Sequence, residues 1–410
     1  MPLYTTSNKI INDPIYGLIS MPGGVAYDII NHPWFQRLRR IRQVGLTNYV
    51  YPGAIHSRFQ HTIGCVHLMQ LALDVLEAKG VDITPEEADS TILAILLHDI
   101  GHAPFSHSLE NMLVNKMRHE ELSLMAMTEL NEYYNGALST AIEIFTNRYY
   151  KKFLHQMVSS QIDIDRLDYL NRDSFFTGVS EGVVSHDRII KMLNVFDDKL
   201  VVDQKGIYSI EKFLVARRLM YWQVYLHKTV ISAEQILRKI IKRAKYLISQ
   251  GEELFAFPDL HFFLLNVDTI ENGQFERFAA VDDDDISASI KVWAKHSDTV
   301  LSYLCNSLVN RRLFRVKIDN KPFDINVIED TRQKTSKLLN ISYEDTEYLV
   351  VSNTLSNNTY QPLDDEISIL DKSGKIQSII DASDMFNHEI MSKTVLKFYF
   401  CYPKQLDQLI

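Results

Sequence analysis

The residues best suited to chemistry are an adjacent pair, His98-Asp99. The pair ends an apolar run from Ile92 to Leu97 and is followed by Gly101-His102-Ala103-Pro104-Phe105-Ser106-His107. A helix that buried two such side chains without partners would suffer a substantial desolvation penalty. Imidazole nitrogen together with carboxylate oxygen suits a divalent cation such as Mn, Fe, Zn, Co or Mg. Upstream, His56-Ser57-Arg58-Phe59-Gln60-His61 offers a further imidazole beside a guanidinium. Downstream, Asp163-Ile164-Asp165-Arg166-Leu167-Asp168-Tyr169 sets three carboxylates around a second arginine. On a helix Asp165 and Asp168 share a face, whereas Asp163 points elsewhere. Each segment alone is weak, because the chain has 14 histidines. The ordered set of His, then His-Asp, then Asp, each inside an extended local motif, predicts a metal site.

The elements that must carry these groups are mostly helices. Pro33 suits the first turn of a helix through Phe35, Leu38 and Ile41. Residues 61–78 place Val66, Met69, Leu73 and Leu76 at helical spacing, closed by Gly80. Thr84-Pro85-Glu86-Glu87 is a start signal, with a capping Thr, Pro at the first position and Glu at the third, for a helix that delivers His98. Further helices are expected around 107–114, 119–131, 137–146, 150–160 and 163–171. Ile210 to Ser249 contains no Gly or Pro, and reads as one long helix or two joined by a bend. The opening stretch, Lys9 to Gly23, reads as turns with at most short strands. Beyond about residue 310 the pattern changes. Segments 312–318, 347–353 and 394–402, and more weakly 375–380, alternate Val, Ile, Phe and Tyr with polar residues, as strands do. The acidic run Asp282–Asp285 reads as a solvated face.

Composition narrows the classes. The chain has 410 residues, 46% hydrophobic and 23% charged, the balance of an ordinary globular protein. A formal net charge of -9 repels nucleic acid and anionic membranes, so a phosphate-bearing ligand must be met by a local basic cluster. No apolar run approaches the roughly 20 residues needed to span a bilayer. Met1 to Asn8 lacks an apolar stretch, so no secretory signal is expected. Cys65, Cys305 and Cys401, an odd number at wide spacing, suit reduced thiols and a cytoplasmic location.

The motifs resemble the H…HD…D signature of the HD superfamily of phosphohydrolases. Longer strings resemble its dNTP triphosphohydrolase branch: Asn12-Asp13-Pro14-Ile15-Tyr16-Gly17, Phe35-Gln36-Arg37-Leu38-Arg39, Tyr51-Pro52-Gly53-Ala54, Arg58-Phe59-x-His61, His98 through His107, and Asp163 through Tyr169. They run in unbroken order over roughly residues 9–250 and thin beyond. The resemblance implies a mainly α fold. An HD-domain helical body would span 1–310, with its metal core at about 30–250, and a smaller mixed α/β C-terminal region would span 311–410. It implies one divalent metal per chain, held by His61, His98, Asp99 and Asp165. It implies that His102, His107 and His119 line the phosphates or serve as general acid, with Glu110 where the branch often has an Asp beside the acid histidine. Arg58, Arg166, Tyr169 and Arg217 match its phosphate clamp, and Lys228 would add charge nearby. Tyr225 would pack on the sugar and exclude a 2′-hydroxyl, and Gln43 and Asp173 would bind the 3′-hydroxyl. The implied reaction is hydrolysis of a deoxynucleoside triphosphate to deoxynucleoside and triphosphate.

In mammalian members of the branch an activating guanine nucleotide sits between subunits. Lys9, Ile10, Gln36, Arg39, Arg311 and Arg315 match that site. Asn31 replaces the carboxylate that reads guanine, and a neutral amide offers only one acceptor oxygen. A homo-oligomer, dimer or tetramer, with a nucleotide or anion at the subunit contact but no strict GTP requirement is therefore expected. Two alternatives stay open: an HD-type nucleotidase or phosphodiesterase acting on another nucleotide, and a non-catalytic nucleotide- or nucleic-acid-binding scaffold. Nucleic acid is not indicated by the charge, although Arg311-Arg312 with Lys317 would form a small basic patch.

Overall fold

The Arg58–Ala78 helix is apolar on almost every side, with Phe59, Ile63, Val66, Leu68, Met69, Leu73 and Leu76 all buried. A helix of that kind must lie inside the molecule. In the computed structural model, which describes residues 4–271, 273–357, 366–386 and 395–408, it packs against the Pro85–Leu97 and Ile164–Thr177 helices. These three carry the two motif histidines and the downstream aspartates. Their ends are set as the sequence predicts. Thr84 Oγ1 accepts from Glu87 N at 3.2 Å and Glu87 Oε2 accepts from Thr84 N at 2.8 Å, the reciprocal pair that satisfies two orphan donors of the first turn. Asp163 caps Ile164–Thr177 by accepting from Arg166 N at 2.8 Å, and Gly178 closes it at φ 75°. The fold is mainly α, with a smaller mixed α/β region towards the C-terminus. Among the described residues no helix is long and apolar enough to cross a membrane.

The long segment after residue 206 is two helices, Ile207–Met220 and Lys228–Ser249, joined by one wide turn over Tyr221–Tyr225 in which Leu226 N reaches back five residues to Tyr221 O at 2.8 Å. Such wide turns concentrate at functional sites, and this one points Tyr221 and Tyr225 towards the metal-ligand helices. The opening stretch is more regular than expected, an antiparallel hairpin of Thr6–Asp13 and Gly17–Pro22, followed by the Gly24–Asn31 helix. The Pro33 helix is shorter than expected. It gives way to a tight turn at Arg37–Arg40, and Ile41 is extended.

In the C-terminal region Val395–Tyr402 pairs antiparallel with both Arg315–Asp319 and Val351–Asn357. The expected strand at 347 begins four residues later, because Glu344–Tyr348 forms a tight helical turn, and residue 394 lies outside the described residues. Ile376–Ser378 pairs with Ser368–Leu370, which runs parallel to Lys199–Asp203. The last strand belongs to a hairpin with Leu193–Phe196 that the sequence reading missed.

The acidic run is a correction. It is not a solvated face: Asp282 and Asp283 are buried, and only Asp284 is exposed. Asp282 caps the Asp283–Trp293 helix through Asp284 N at 2.9 Å and pairs with Arg40. Asp283 accepts from Phe105 N at 2.6 Å and Arg42 N at 3.0 Å, and burial pushes its carboxyl up to about 6. The run escapes self-repulsion because backbone N–H groups and a guanidinium surround it. Its target is strained: Phe105 and Ser106 both sit at φ 55°, a region costly for residues with a Cβ. Replacing Asp283 by Ala orphans two N–H groups and should lower stability by about 2–4 kcal/mol. Asp284→Ala should cost less than about 1 kcal/mol. Chemical denaturation of both variants checks this, and equal effects would refute the clamp.

Candidate active site

His61 lies within the first turn of its helix and is fully buried. Its Nδ1 is 2.8 Å from Asp168 Oδ2, which fixes a proton on Nδ1 and leaves the Nε2 lone pair for a ligand. Asp168 is bound twice by Arg172, at 2.8 and 2.9 Å, and Arg172 reaches Asp13 at 2.8 Å. This pair lies directly on Gly64, where any Cβ would overlap Asp168 and Arg172. His98 ends the apolar helix. Its Nδ1 donates to Ile95 O at 2.6 Å, and its Nε2 is buried with no hydrogen-bond partner among the described residues.

The donor atoms meet in one place. His61 Nε2 is 3.1 Å from Asp165 Oδ1 and 3.5 Å from Asp99 Oδ2, and His98 Nε2 is 3.4 Å from Asp99 Oδ1 and 3.7 Å from Asp165 Oδ1. Donors about 2.1 Å from a shared cation lie about 3.0–3.4 Å apart. The His61–Asp165 and His98–Asp99 approaches meet that spacing and the other two slightly exceed it, with Asp99 turning a different oxygen to each imidazole. Charge supports the fit. Burial lowers the His98 imidazole, but Asp99 and Asp165 outweigh it and raise it. Burial likewise opposes ionisation of Asp165, yet His61 and His98 hold its carboxyl well below the usual range. Protons here do the work of a cation. Cys65 is also close, with Sγ 3.6 Å from both ring nitrogens of His61. Burial pushes its thiol up, and its sulfur lies in one group of potential donors with His61, His98 and Asp165.

A second group of imidazoles stands beside the first. His102 follows the helix end, His107 lies on the Ser106–Leu109 turn, and His119 opens the His119–Tyr133 helix. Glu110 bridges the latter two, accepting from His107 Nδ1 at 3.0 Å and His119 Nδ1 at 2.6 Å. Gly101 permits this packing, since a Cβ there would overlap His119 O and Ser123 N. Ser123 accepts from Gly101 N at 3.0 Å and donates to His98 O at 2.8 Å, tying this helix to the metal ligands.

A cavity of about 560 Å³ opens over both groups. Gln43, Arg58, His98, Asp99, His102, His107, His119, Asp165, Arg166, Tyr169, Asp173, Arg217 and Tyr225 line it, with His61 beneath. Arg58 pairs with Asp99 and donates to Ser106 Oγ at 2.7 Å. Arg166 pairs with Asp163, and Arg217 Nη1 donates to Gln161 Oε1 at 2.9 Å. Nε of Arg166 and Nε of Arg217 are both buried without a hydrogen-bond partner among the described residues. Tyr225 Oη donates to Asp173 Oδ2 at 2.6 Å, and Asp173 Oδ1 is 2.8 Å from His56 Nε2.

Not every expected residue is here. Lys228 instead lines a separate cavity of about 710 Å³ with Arg311, Arg312, Arg315 and Lys404. Lys9 and Ile10 are exposed on the first strand. Asn31 Nδ2 donates to Tyr27 O, and Gln36 bonds Ile30 O and Arg39, whose guanidinium lies over Phe59. Arg311 donates to Tyr49 O, and Arg315 pairs with Asp407. The sequence reading missed Glu234 and Tyr221, which also line the active cavity. Glu234 accepts from Ser108 Oγ at 3.0 Å, and burial pushes its carboxyl up to about 7. No local signal marks it, since only the wide turn brings it round. Asp168 stood in a recognised motif, but its support of His61 is visible only in three dimensions.

Removing a ligand carboxylate strips charge that a cation needs. Asp99→Ala should abolish bound metal and turnover together, whereas Cys65→Ala should retain the metal. Elemental analysis of the purified variants decides it, and full occupancy in an Asp99→Ala, His98→Ala double variant would overturn the ligand set.

Two family models match in sequence, "HD domain" at residues 58–173 and "HD associated region" at 184–268. A Bacillus subtilis protein, YwfO, is 32% identical over 98% of this chain and 93% of its own length. The deoxynucleoside triphosphate triphosphohydrolase SAMHD1 homolog of Dictyostelium discoideum is 31% identical, over 60% of this chain and 52% of its own. The crystal structure of a phosphohydrolase from Bacteroides thetaiotaomicron superposes with a TM-score of 0.93 at 51% identity, over 96% of this chain and 99% of that one. The matched segments build most of the cavity wall, and with these relatives the chain belongs to the HD-domain phosphohydrolases, which are metal-dependent hydrolases.

Proposed function

We propose that the protein hydrolyses a deoxynucleoside triphosphate to deoxynucleoside and triphosphate. The observation that carries this reading is the pair of buried guanidinium N–H groups, Arg166 Nε and Arg217 Nε, on the cavity wall and without a hydrogen-bond partner among the described residues. Buried donors without partners are costly, and a polyphosphate supplies acceptors to both. A protein of net charge -9 has little other reason to gather Arg58, Arg166 and Arg217 around one cavity.

A divalent ion at His61, His98, Asp99 and Asp165 would supply charge neutralisation for a phosphate oxygen and acidify water nearby. The chain's own residues do the rest. Arg166, Arg217 and Tyr169 hold the β and γ phosphates, while Arg58, pinned by Ser106 and Asp99, orients the α-phosphate that water attacks. The bond to the 5′-oxygen breaks, and all three phosphates stay together as triphosphate. His107 and His119, each with Nδ1 on Glu110, present the opposite ring edge. In its protonated form that edge delivers a proton to the departing oxygen. Tyr225 is fixed in place by Asp173, itself held by His56. A ring so anchored excludes a 2′-hydroxyl by contact, and Asp173 and Gln43 bind the 3′-hydroxyl.

The similarity to the Dictyostelium triphosphohydrolase homolog supports the substrate class. We further propose a cytoplasmic homo-oligomer with a nucleotide or anion at a subunit contact that draws on Lys9, Ile10, Asn31, Gln36, Arg39, Arg311 and Arg315. Guanine would not be strictly required there, because Asn31 spends its amide N–H on Tyr27 O and offers one acceptor only.

Ion-exchange analysis of the reaction with each dNTP and Mn should give triphosphate as the first phosphate product. A nucleoside monophosphate would point instead to another HD chemistry. In Tyr225→Ala the ratio of ribo- to deoxyribonucleotide kcat/KM should rise on the order of 10–200-fold, the worth of one packed contact at about 1–3 kcal/mol. An unchanged ratio would remove Tyr225 from the sugar subsite.

A further inference from the structure

We propose that Glu234 reads the nucleobase, favouring bases that carry an amino group at the pyrimidine 4-position or purine 6-position over those with an oxygen there. The inference rests on the nucleotide reading of the cavity, and concerns a side chain that the reaction itself leaves unused.

A carboxyl in a cavity that gathers three arginines for a polyanion works against binding by like-charge repulsion, unless the ligand brings it a donor. Glu234 lies on the Lys228–Ser249 helix, one turn beyond Val230, and the two share a face that lines the cavity. Ser108 Oγ donates to Glu234 Oε1 at 3.0 Å, and Arg238 Nη1 in turn donates to Ser108 O at 3.1 Å. The carboxyl is thus held through one oxygen. Its Oε2 has no hydrogen-bond partner among the described residues. Burial outweighs Ser108 and the nearby Arg238 and raises the group to about 7, as expected of a carboxyl short of donors.

The base lies at this end of the cavity. The phosphates are met by Arg166, Tyr169 and Arg217, and the sugar by Tyr225, Asp173 and Gln43. Val44, Gly45 and Thr47 follow Gln43 along the same wall, so a base joined to a sugar at Gln43 runs onto them. Gly45 sits at φ 52°, and a Cβ there would come within 2.8 Å of Ser108 Oγ and 2.9 Å of Phe105 O. That close approach sets the backbone after Gln43 against the serine that holds Glu234. Val44, Phe105 and Val230 supply apolar surface for the faces of a base, and Glu234 supplies an acceptor for its edge. Adenine and cytosine present an amino donor there, whereas guanine and thymine present an oxygen, which a carboxylate repels.

The test compares dCTP with dUTP, which are alike in size and differ at the 4-position. Their kcat/KM values are measured on the alkaline side of the carboxyl's titration, where it is ionised. The unmodified protein should favour dCTP on the order of tenfold. Glu234→Gln keeps an oxygen for Ser108 and turns an N–H towards the base, so the ratio should reverse in favour of dUTP. Glu234→Ala removes both groups and should bring the ratio towards one, which keeps a result in reach if the glutamine variant does not fold. A carboxyl that merely braced the Ser106–Leu109 turn would affect both substrates alike. An equal loss for the two, or no preference in the unmodified protein, overturns the proposal. The ratio is read separately from the product. Triphosphate release with an unchanged ratio refutes the role of Glu234 alone, and a different phosphate product with a shifted ratio refutes the triphosphohydrolase reading alone. No turnover of any nucleotide refutes both.

Discussion

A buried chain of charge, His61 to Asp168 to Arg172 to Asp13, holds the molecule's working parts together. The side chains of Asp168 and Arg172 are fully buried, and neither ion is tolerable there without the other. Breaking such a pair by removing one member commonly costs about 3–5 kcal/mol. The pair joins the Arg58–Ala78 helix to Ile164–Thr177 and, through Asp13, to the opening hairpin. It also fixes which nitrogen of His61 faces the metal ligands. Stability and chemistry therefore draw on the same bonds, and Gly64 keeps the space they need.

The same economy of charge runs through the cavity. Two imidazoles and two carboxylates gather at one end of the cavity and three guanidinium groups line it, inside a protein that is acidic overall. Each arginine is partly anchored to the protein, Arg58 to Asp99, Arg166 to Asp163 and Arg217 to Gln161. Anchoring holds them without using every donor, since Nε of Arg166 and of Arg217 has no hydrogen-bond partner among the described residues. Such preorganisation is what makes electrostatic stabilisation effective in a shielded site.

Asp283 shows how far the supports extend. It comes from a helix about 180 residues along the chain from the turn it clamps, and that turn holds two residues in the left-handed region. The strain is sustained by hydrogen bonds from outside the turn. Ser106 and His107 then project into the cavity at positions a relaxed loop would not give them.

What the sequence by itself determined was local. The Thr84 box, the Asp163 cap, the His98-Asp99 helix end and the spacing of Asp165 from Asp168 depend on groups within a few residues, whose relative positions helix geometry dictates. The motif order supplied the candidate metal ligands and about half of the cavity lining. The tertiary structure decided the rest: Asp283 as a buried clamp instead of a solvated charge, Lys228 in a different cavity from Arg217, and Glu234 in the active cavity. Each of these turns on contacts between segments far apart in the chain, or on the direction in which a helix leaves the wide turn at Tyr221–Tyr225. A charged residue reads the same in sequence whether it meets water or a backbone N–H. Only the packing of distant elements sets which it meets.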